Sequence, residues 1–513
     1  MLLTLLTLLP LLHSCATNPV TGKRELTLLS ESAEISMGEE NYLFSRQSQG
    51  GDYVVEPELT AYVADVGARI ARVSDRPHLP YEFVVLNSSV PNAWALPGGK
   101  IAVNRGLLLE LSSEAELAAV LAHEIVHVAA RHGAKGIERG IALQAGMIGV
   151  GLAASDSSYS DIAVGAASIG TALISKRYSR GAELEADHYG MKYMAKAGYD
   201  PAAAIALQQT FVRLSSQRRS NWLSGLFASH PPSQERVEAN VAMASQLPQG
   251  GRVGRKEYQA RIGGLERTRA AYEAHDRGRT LLADGNVAEA LSLVERAIAV
   301  ESGEALFYGL RGDGRVKQRR YRAALADYDA AIERNSGFYQ FFLQRGLVRQ
   351  ELGNIEAADK DLQKSAALFP TAHAYNGLGL IAVAGGQRQR AIAYFGMAAS
   401  SNSEVSRRAR VSLARLELPE RPERYLSLQL QRDRRGYVVV LLDNKSPVTV
   451  RDVVVAVRRL NDQGRIIGTD TVSFRHAIGP RRRSGAVTHI GPLSDESALQ
   501  HIRLKILYVT VVD

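Results

Sequence analysis

Two histidines and a glutamate stand close together in His123-Glu124-Ile125-Val126-His127. If this stretch is helical, both imidazoles project from one face, a turn apart, and can grip a single metal ion. Glu124 then points to the flank of that face, where it can take a proton from a water that the ion acidifies. A catalytic zinc uses three protein ligands and keeps one position open. The third ligand is found in Ser179-Arg180-Gly181-Ala182-Glu183-Leu184-Glu185-Ala186-Asp187, where Glu183 and Asp187 are four apart and share a helical face. Glu183 supplies the ligand, and Asp187 hydrogen-bonds a ligand imidazole and holds its tautomer. The competing reading is an acidic face in water, and Glu185 is assigned to it. A further stretch is Ser229-His230-Pro231-Pro232-Ser233-Gln234-Glu235-Arg236. A lone histidine before prolines is usually a loop residue, but beside the other two motifs His230 can steady a developing oxyanion. One Zn2+ per chain is the expected cofactor.

These residues need rigid supports. Ser113 to Gly133 reads as one helix, with Ser113 as cap, Glu116 three residues on completing a capping box, and Gly133 as the terminating glycine. Leu117, Ala118, Val120, Leu121, Ile125, Val126 and Ala129 make it apolar on most sides, as in a core. Ser30 to Phe44 has helical spacing, and Tyr81 to Leu86 reads as a strand. From Val90 the chain reads as an extended strand, a Pro97-Gly98-Gly99 turn, and a second strand into Asn104. The first of these, through Asn92, Ala93, Trp94 and Ala95, is a candidate exposed edge that takes substrate backbone by strand addition. An ordinary hairpin has the same pattern.

Taken in order, His123-Glu124-x-x-His127, Glu183-x-x-x-Asp187 and Ser229-His230-Pro231 with Arg236 resemble metallopeptidase family 48. The Asn92-Ala93-x-Ala95-x-Pro97-Gly98-Gly99 stretch and the Asn18-Pro19-Val20-Thr21-Gly22-Lys23 start resemble its bacterial lipoprotein and periplasmic branch. The resemblance covers about residues 15 to 250. It implies a gluzincin fold, a mostly helical domain with a small sheet. It also implies that His230 binds zinc as a fourth, resting-state ligand that leaves before catalysis, and it implies quality control of envelope proteins.

The chain of 513 residues is too long for one core. Residues 1–14 are expected to be a lipoprotein signal peptide, 15–250 the peptidase domain, 251–266 a linker, 267–416 a repeat array, and 420–513 a β-sandwich-like domain. The apolar run MLLTLLTLLPLL ends at Leu12-His13-Ser14-Cys15, which looks like a bacterial lipoprotein cleavage box with Cys15 as the acylated residue. A signal peptide carrying an incidental cysteine is the alternative. Two or more acyl chains would anchor the protein stably, and Ala16 after the cysteine points to the outer membrane of a Gram-negative bacterium, facing the periplasm. Cys15 is the sole cysteine, which excludes a disulfide fold and thiolate zinc. The net charge of +9 suggests acidic partners, but 6% aromatics and no visible nucleic-acid module argue against nucleic acid. Gly140 to Ile174 is rich in small residues; it reads as two packed helices with a lid-like loop, or else as a membrane-embedded segment.

Gly278, Gly312, Gly346 and Gly379 recur at 34, 34 and 33 residues, each followed twelve residues later by Ala290, Ala324, Ala358 and Ala391. Period and small residues match about four tetratricopeptide repeats, an α-solenoid with a concave groove for peptides or a partner protein of the envelope. Gly285, Gly353 and Gly386 mark the turns within the repeats, with Arg319 in the equivalent place. Arg311, Arg315, Arg345 and Arg349 would make the groove basic, or else form a solvated face. Beyond Pro422, β-branched runs at Tyr437–Leu442, Val448–Val457 and Ile502–Val512 suggest a small β-sandwich. The expectation is therefore a multidomain, mainly α protein: a zinc endopeptidase of the cell envelope with protein substrates and repeats that recruit them. The alternative is a periplasmic chaperone or assembly scaffold in which proteolysis is secondary.

Overall fold

A computed structural model describes residues 15–138, 178–216 and 229–512. The signal-peptide reading of residues 1–14 and the whole stretch Gly140 to Ile174, with its lid and membrane readings, lie outside these. The chain divides into two compact units, one up to Pro370 and one from Thr371. Among the described residues no helix is long and apolar enough to cross a membrane.

The first unit opens with a hairpin, β1 (Cys15–Thr17) and β2 (Arg24–Leu26), paired antiparallel. Buried Asn18 closes its turn: its Oδ1 accepts from the backbone of Val20 and Thr21, and its Nδ2 donates to the carbonyl of Ala130. Helices α1 (Glu31–Ser48) and α2 (Pro57–Ala71) follow. A three-stranded sheet of β3 (Glu82–Leu86), β4 (Ala93–Leu96) and β5 (Lys100–Asn104) comes next, in the order β3-β5-β4. The Pro97–Gly99 turn joins β4 to β5 with positive φ at Gly98 and Gly99. A Cβ at Gly38 of α1 would lie 2.0 Å from the Pro97 carbonyl oxygen, so only glycine lets helix and turn meet there.

The central helix α3 (Glu114–Ala129) starts at Ser113, whose hydroxyl accepts from Glu116 N at 3.2 Å. Glu116 reaches back to Ser112 N, one residue before the position the capping box predicts. Leu117, Leu121 and Ile125 are 0% exposed, each contributing about 1.5–3 kcal/mol relative to an exposed side chain. The helix ends sooner than Gly133. Arg131 takes the left-handed turn at φ 61°, and its guanidinium secures that unusual backbone by bonding Thr27 Oγ1, Leu29 O and Glu34. Helices α4 (Arg180–Lys196), α5 (Ala202–Ser216) and α6 (Gln234–Ala244) pack around α3 and one another.

The expected linker 251–266 is largely helical instead. Helix α7 runs from Arg255 to Ala283, and Tyr258, Ile262 and Leu265 are buried at helical spacing in the core shared with α3. The repeats continue as helix pairs: Val287–Val300, then Ala305–Lys317 with Tyr321–Arg334, then Tyr339–Glu351 with Ile355–Leu368. A Cβ at Gly312 would meet the Tyr328 ring at 2.7 Å, and one at Gly346 would meet Leu362 at 3.0 Å, which explains the periodic glycines. The arginines expected to line a basic groove do not. Arg311 and Arg315 pair with Asp327, and Arg345 and Arg349 with Asp361, at 2.6–2.8 Å, so each pair staples the two helices of its repeat.

The second unit holds the fourth repeat (Ala372–Ala384 and Arg388–Ala398), a helix Glu404–Glu417, and two three-stranded antiparallel sheets. The strands Leu426–Arg432, Val438–Asn444 and Arg483–Val487 form one sheet, and Thr449–Leu460, Ile466–Phe474 and Ile502–Val512 the other. Val440 and Leu442 of the first share a core with Val455, Val457 and Phe474 of the second, as in a small sandwich.

Candidate metal centre

Helix α3 brings His123 and His127 to one face, and α4 presents Glu183 opposite them. His123 Nε2 lies 3.0 Å from His127 Nε2 and 3.5 Å from Glu183 Oε2, and His127 Nε2 lies 3.5 Å from Glu183 Oε1. His230 joins the group, with Nδ1 at 3.0 Å from Glu183 Oε1 and 3.3 Å from His123 Nε2. One donor atom from each of these four residues falls within 4.8 Å of the others.

The donor set fits a divalent ion. Zinc–ligand bonds of about 2.0–2.1 Å in a tetrahedron place neighbouring donors roughly 3.3 Å apart, close to the separations here. Charge points the same way. Glu124, Glu183 and Asp187 are buried together, 2–7% exposed, and among the described residues Arg236 is the guanidinium that pairs with Glu183 and Asp187. Buried carboxylates without matching positive charge are costly, and a cation supplies what is missing. Glu124 Oε2 also lacks a hydrogen-bond donor among the described residues.

Asp187, as expected, holds an imidazole: its Oδ1 is 2.9 Å from His123 Nδ1. Arg236 grips both Asp187 oxygens at 2.6 and 2.8 Å and donates to the Pro231 carbonyl, fixing the loop that carries His230. Burial pushes the His123 imidazole down, but Asp187 and Glu183 outweigh it and raise it to about 10. Burial pushes Glu124 up, as suits a group that must accept a proton, with His230 and His123 opposing. Burial would raise Glu183 too, but the three imidazoles around it hold it well below the carboxylate range. Burial drives His127 down, keeping that imidazole neutral. His230 Nε2 lies 3.6 Å from Glu124 Oε1, so this histidine touches both the donor cluster and the base.

Strand β4 is the edge of its sheet, and among the described residues no strand pairs with its outer side. Asn92, Ala93, Trp94 and Ala95 are nonetheless buried, not an exposed edge, because β4 packs against α3. Ala95 and Leu96 line a small cavity with His127 and Tyr178, which sets the strand beside the metal centre. Cys15 lies far along the chain from these residues, at the start of β1.

Several contacts of the site are not legible in the sequence. Tyr178 stacks on His127 at 3.9 Å between ring centres. Glu185, assigned to a solvated face, instead bonds His132 Nε2 at 3.1 Å. Arg236 carried no role until its contacts with Asp187 and Glu183 were visible. Sequence distance hid these pairings, since the partners sit on separate elements.

Residues 57–244 match peptidase family M48, and residues 275–337 and 343–405 match the tetratricopeptide repeat. The chain carries an M48 metallopeptidase domain. Among its relatives is a putative beta-barrel assembly-enhancing protease of Vibrio cholerae, 33% identical over 201 residues, which are 38% of this chain and 40% of the relative. The mitochondrial metalloendopeptidase OMA1 of Schizosaccharomyces pombe is 33% identical over 222 residues, 43% of this chain and 63% of the relative. The beta-barrel assembly-enhancing protease of Escherichia coli K12 is 29% identical over 240 residues, 46% of this chain and 48% of the relative. The chain thus spans between two fifths and two thirds of these curated relatives. The matched M48 segment contains all four donor residues and Glu124, and the matched repeats begin at residue 275.

Proposed function

We propose that this protein is a zinc-dependent endopeptidase of the bacterial cell envelope that cleaves misfolded or stalled membrane and periplasmic proteins. The observation that carries the reading is the convergence of His123, His127, Glu183 and His230 within 4.8 Å, beside the buried carboxyl of Glu124. His123, His127 and Glu183 would hold the ion, with His230 as a fourth donor at rest. Bound zinc polarises a scissile carbonyl and acidifies water. Glu124 takes the proton and hands it to the leaving amine. His230, once free of the cluster, donates a hydrogen bond to the carbonyl oxygen as it gains charge. Asp187 and Arg236 keep His123 and Glu183 in place.

A groove of about 1280 Å³ within the first unit supports polypeptide substrates. It runs from Asn92 and Ser229, the residue before His230, to Asp313, Lys317, Tyr339 and Gln344 on the repeats. Its mixed polar and apolar lining suits an extended, unfolded chain drawn from the repeats toward the site. The names of the Vibrio and Escherichia relatives favour substrates from β-barrel assembly, and the Cys15 box favours attachment to the outer membrane by lipid.

The test is cleavage of casein and of an unfolded β-barrel protein by the purified chain. Cleavage should stop on chelation, return with zinc, and fall by about 10²–10⁴ in Glu124→Gln. A Glu124→Gln chain that cleaves normally contradicts the mechanism. One that loses cleavage yet still rescues an envelope defect favours the scaffold reading.

A further inference from the structure

Asp187 bonds His123 Nδ1 directly, but among the described residues no carboxylate bonds the Nδ1 of His127. Its Nδ1 lies 2.8 Å from Nδ1 of His132, and His132 Nε2 lies 3.1 Å from Glu185 Oε1. We propose that His132 and Glu185 are positioning residues that fix the tautomer of His127 and thereby set the affinity of the metal centre. The inference rests on the metallopeptidase reading above.

The proton positions follow from donor and acceptor chemistry. An ionised carboxylate only accepts, so His132 carries a proton on Nε2, facing Glu185. With its one proton on Nε2, the His132 ring offers a lone pair on Nδ1. Two ring nitrogens 2.8 Å apart share one proton between them, so His127 must supply it from its own Nδ1. That leaves the lone pair of His127 on Nε2, aimed at His123 and Glu183, where an ion would be held. The opposite arrangement points an N–H into the cluster and excludes a cation.

The backbone makes the contact possible. His132 is five residues beyond His127, a spacing no continuous helix brings face to face. Helix α3 stops at Ala129, and the left-handed Arg131 turns the chain so that His132 comes back beneath His127. The side chain of His132 is 5% exposed and that of Glu185 is 23% exposed. Glu185 sits two residues from the ligand Glu183 on α4, so one helix serves the ion from both sides.

The test measures zinc affinity of the full chain against a competing chromophoric chelator, with the visible spectrum of the Co2+-loaded chain as a second readout. His132→Phe keeps the ring but removes the acceptor, whereas His132→Asn places an amide oxygen near the Nδ1 position. His132→Phe should loosen zinc by about 10–100-fold and change the Co2+ bands, while His132→Asn should stay within about threefold of wild type. Glu185→Leu should loosen zinc more than Glu185→Gln, and this pair decides the matter should His132→Phe fail to fold. Equal affinity for wild type and His132→Phe overturns the relay alone, as does His132→Asn binding as weakly as His132→Phe. A wild-type chain that binds no zinc overturns the metallopeptidase reading itself.

Discussion

At the residue scale, the metal centre is a problem of buried charge. Three carboxylates share one guanidinium, and the imidazoles between them take up positive charge wherever they can. Asp187 is central because it touches both His123 and Arg236. Replacing it with Asn removes a charge, loosens Arg236 and weakens the hold on the His123 proton. Asp187→Asn should reduce zinc affinity by about 10–100-fold, read by chelator competition, while far-ultraviolet circular dichroism stays unchanged. His123, Glu124, His127, Glu183 and Asp187 were legible in the sequence because helical spacing of three or four residues encodes a shared face. His132 with Glu185, and Tyr178 with His127, were not, because each pairing depends on where one element crosses another.

At the element scale, glycine positions read well and helix ends less well. The repeat glycines announced close helix contacts, and the ring of Tyr328 against Gly312 gives the reason. The end of α3 was misplaced because Arg131, not a glycine, makes the left-handed turn, and its side-chain bonds to Thr27 and Leu29 are invisible in the local sequence. Arg319 is a similar residue, at φ 59°, without such side-chain anchorage among the described residues, where Gly285, Gly353 and Gly386 stand in the other repeats. Arg319→Gly should therefore raise stability by about 0.5–1 kcal/mol, the left-handed strain it relieves exceeding the entropy it adds to the unfolded chain. Urea unfolding of the variant beside wild type measures this. The strands Leu426–Arg432, Ile466–Phe474 and Arg483–Val487 were not singled out, because their polar residues alternate with apolar ones on half-exposed faces.

At the scale of the molecule, order and kind of domain were readable but the joint between peptidase and repeats was not. Helix α7 is part of the core that surrounds α3, and a buried polar cluster locks the first repeats to the sheet. Glu304 accepts from Asn87 Nδ2 at 3.0 Å and from the Tyr272 hydroxyl at 2.5 Å. Asn87 in turn accepts from buried Arg105, whose guanidinium lies 3.4 Å over the Tyr272 ring. These bonds tie the first repeat to the peptidase sheet, and 217 residues separate Asn87 from Glu304, which no local pattern reveals.

All of this depends on a divalent ion held jointly by α3 and α4. The most direct measurement is metal content by mass spectrometry of the full chain after zinc loading and exhaustive dialysis, for wild type and Glu183→Ala. One zinc per wild-type chain is expected, and its loss in Glu183→Ala at the same free zinc concentration. A wild-type chain that emerges without zinc, or a Glu183→Ala chain that retains it undiminished, would contradict it.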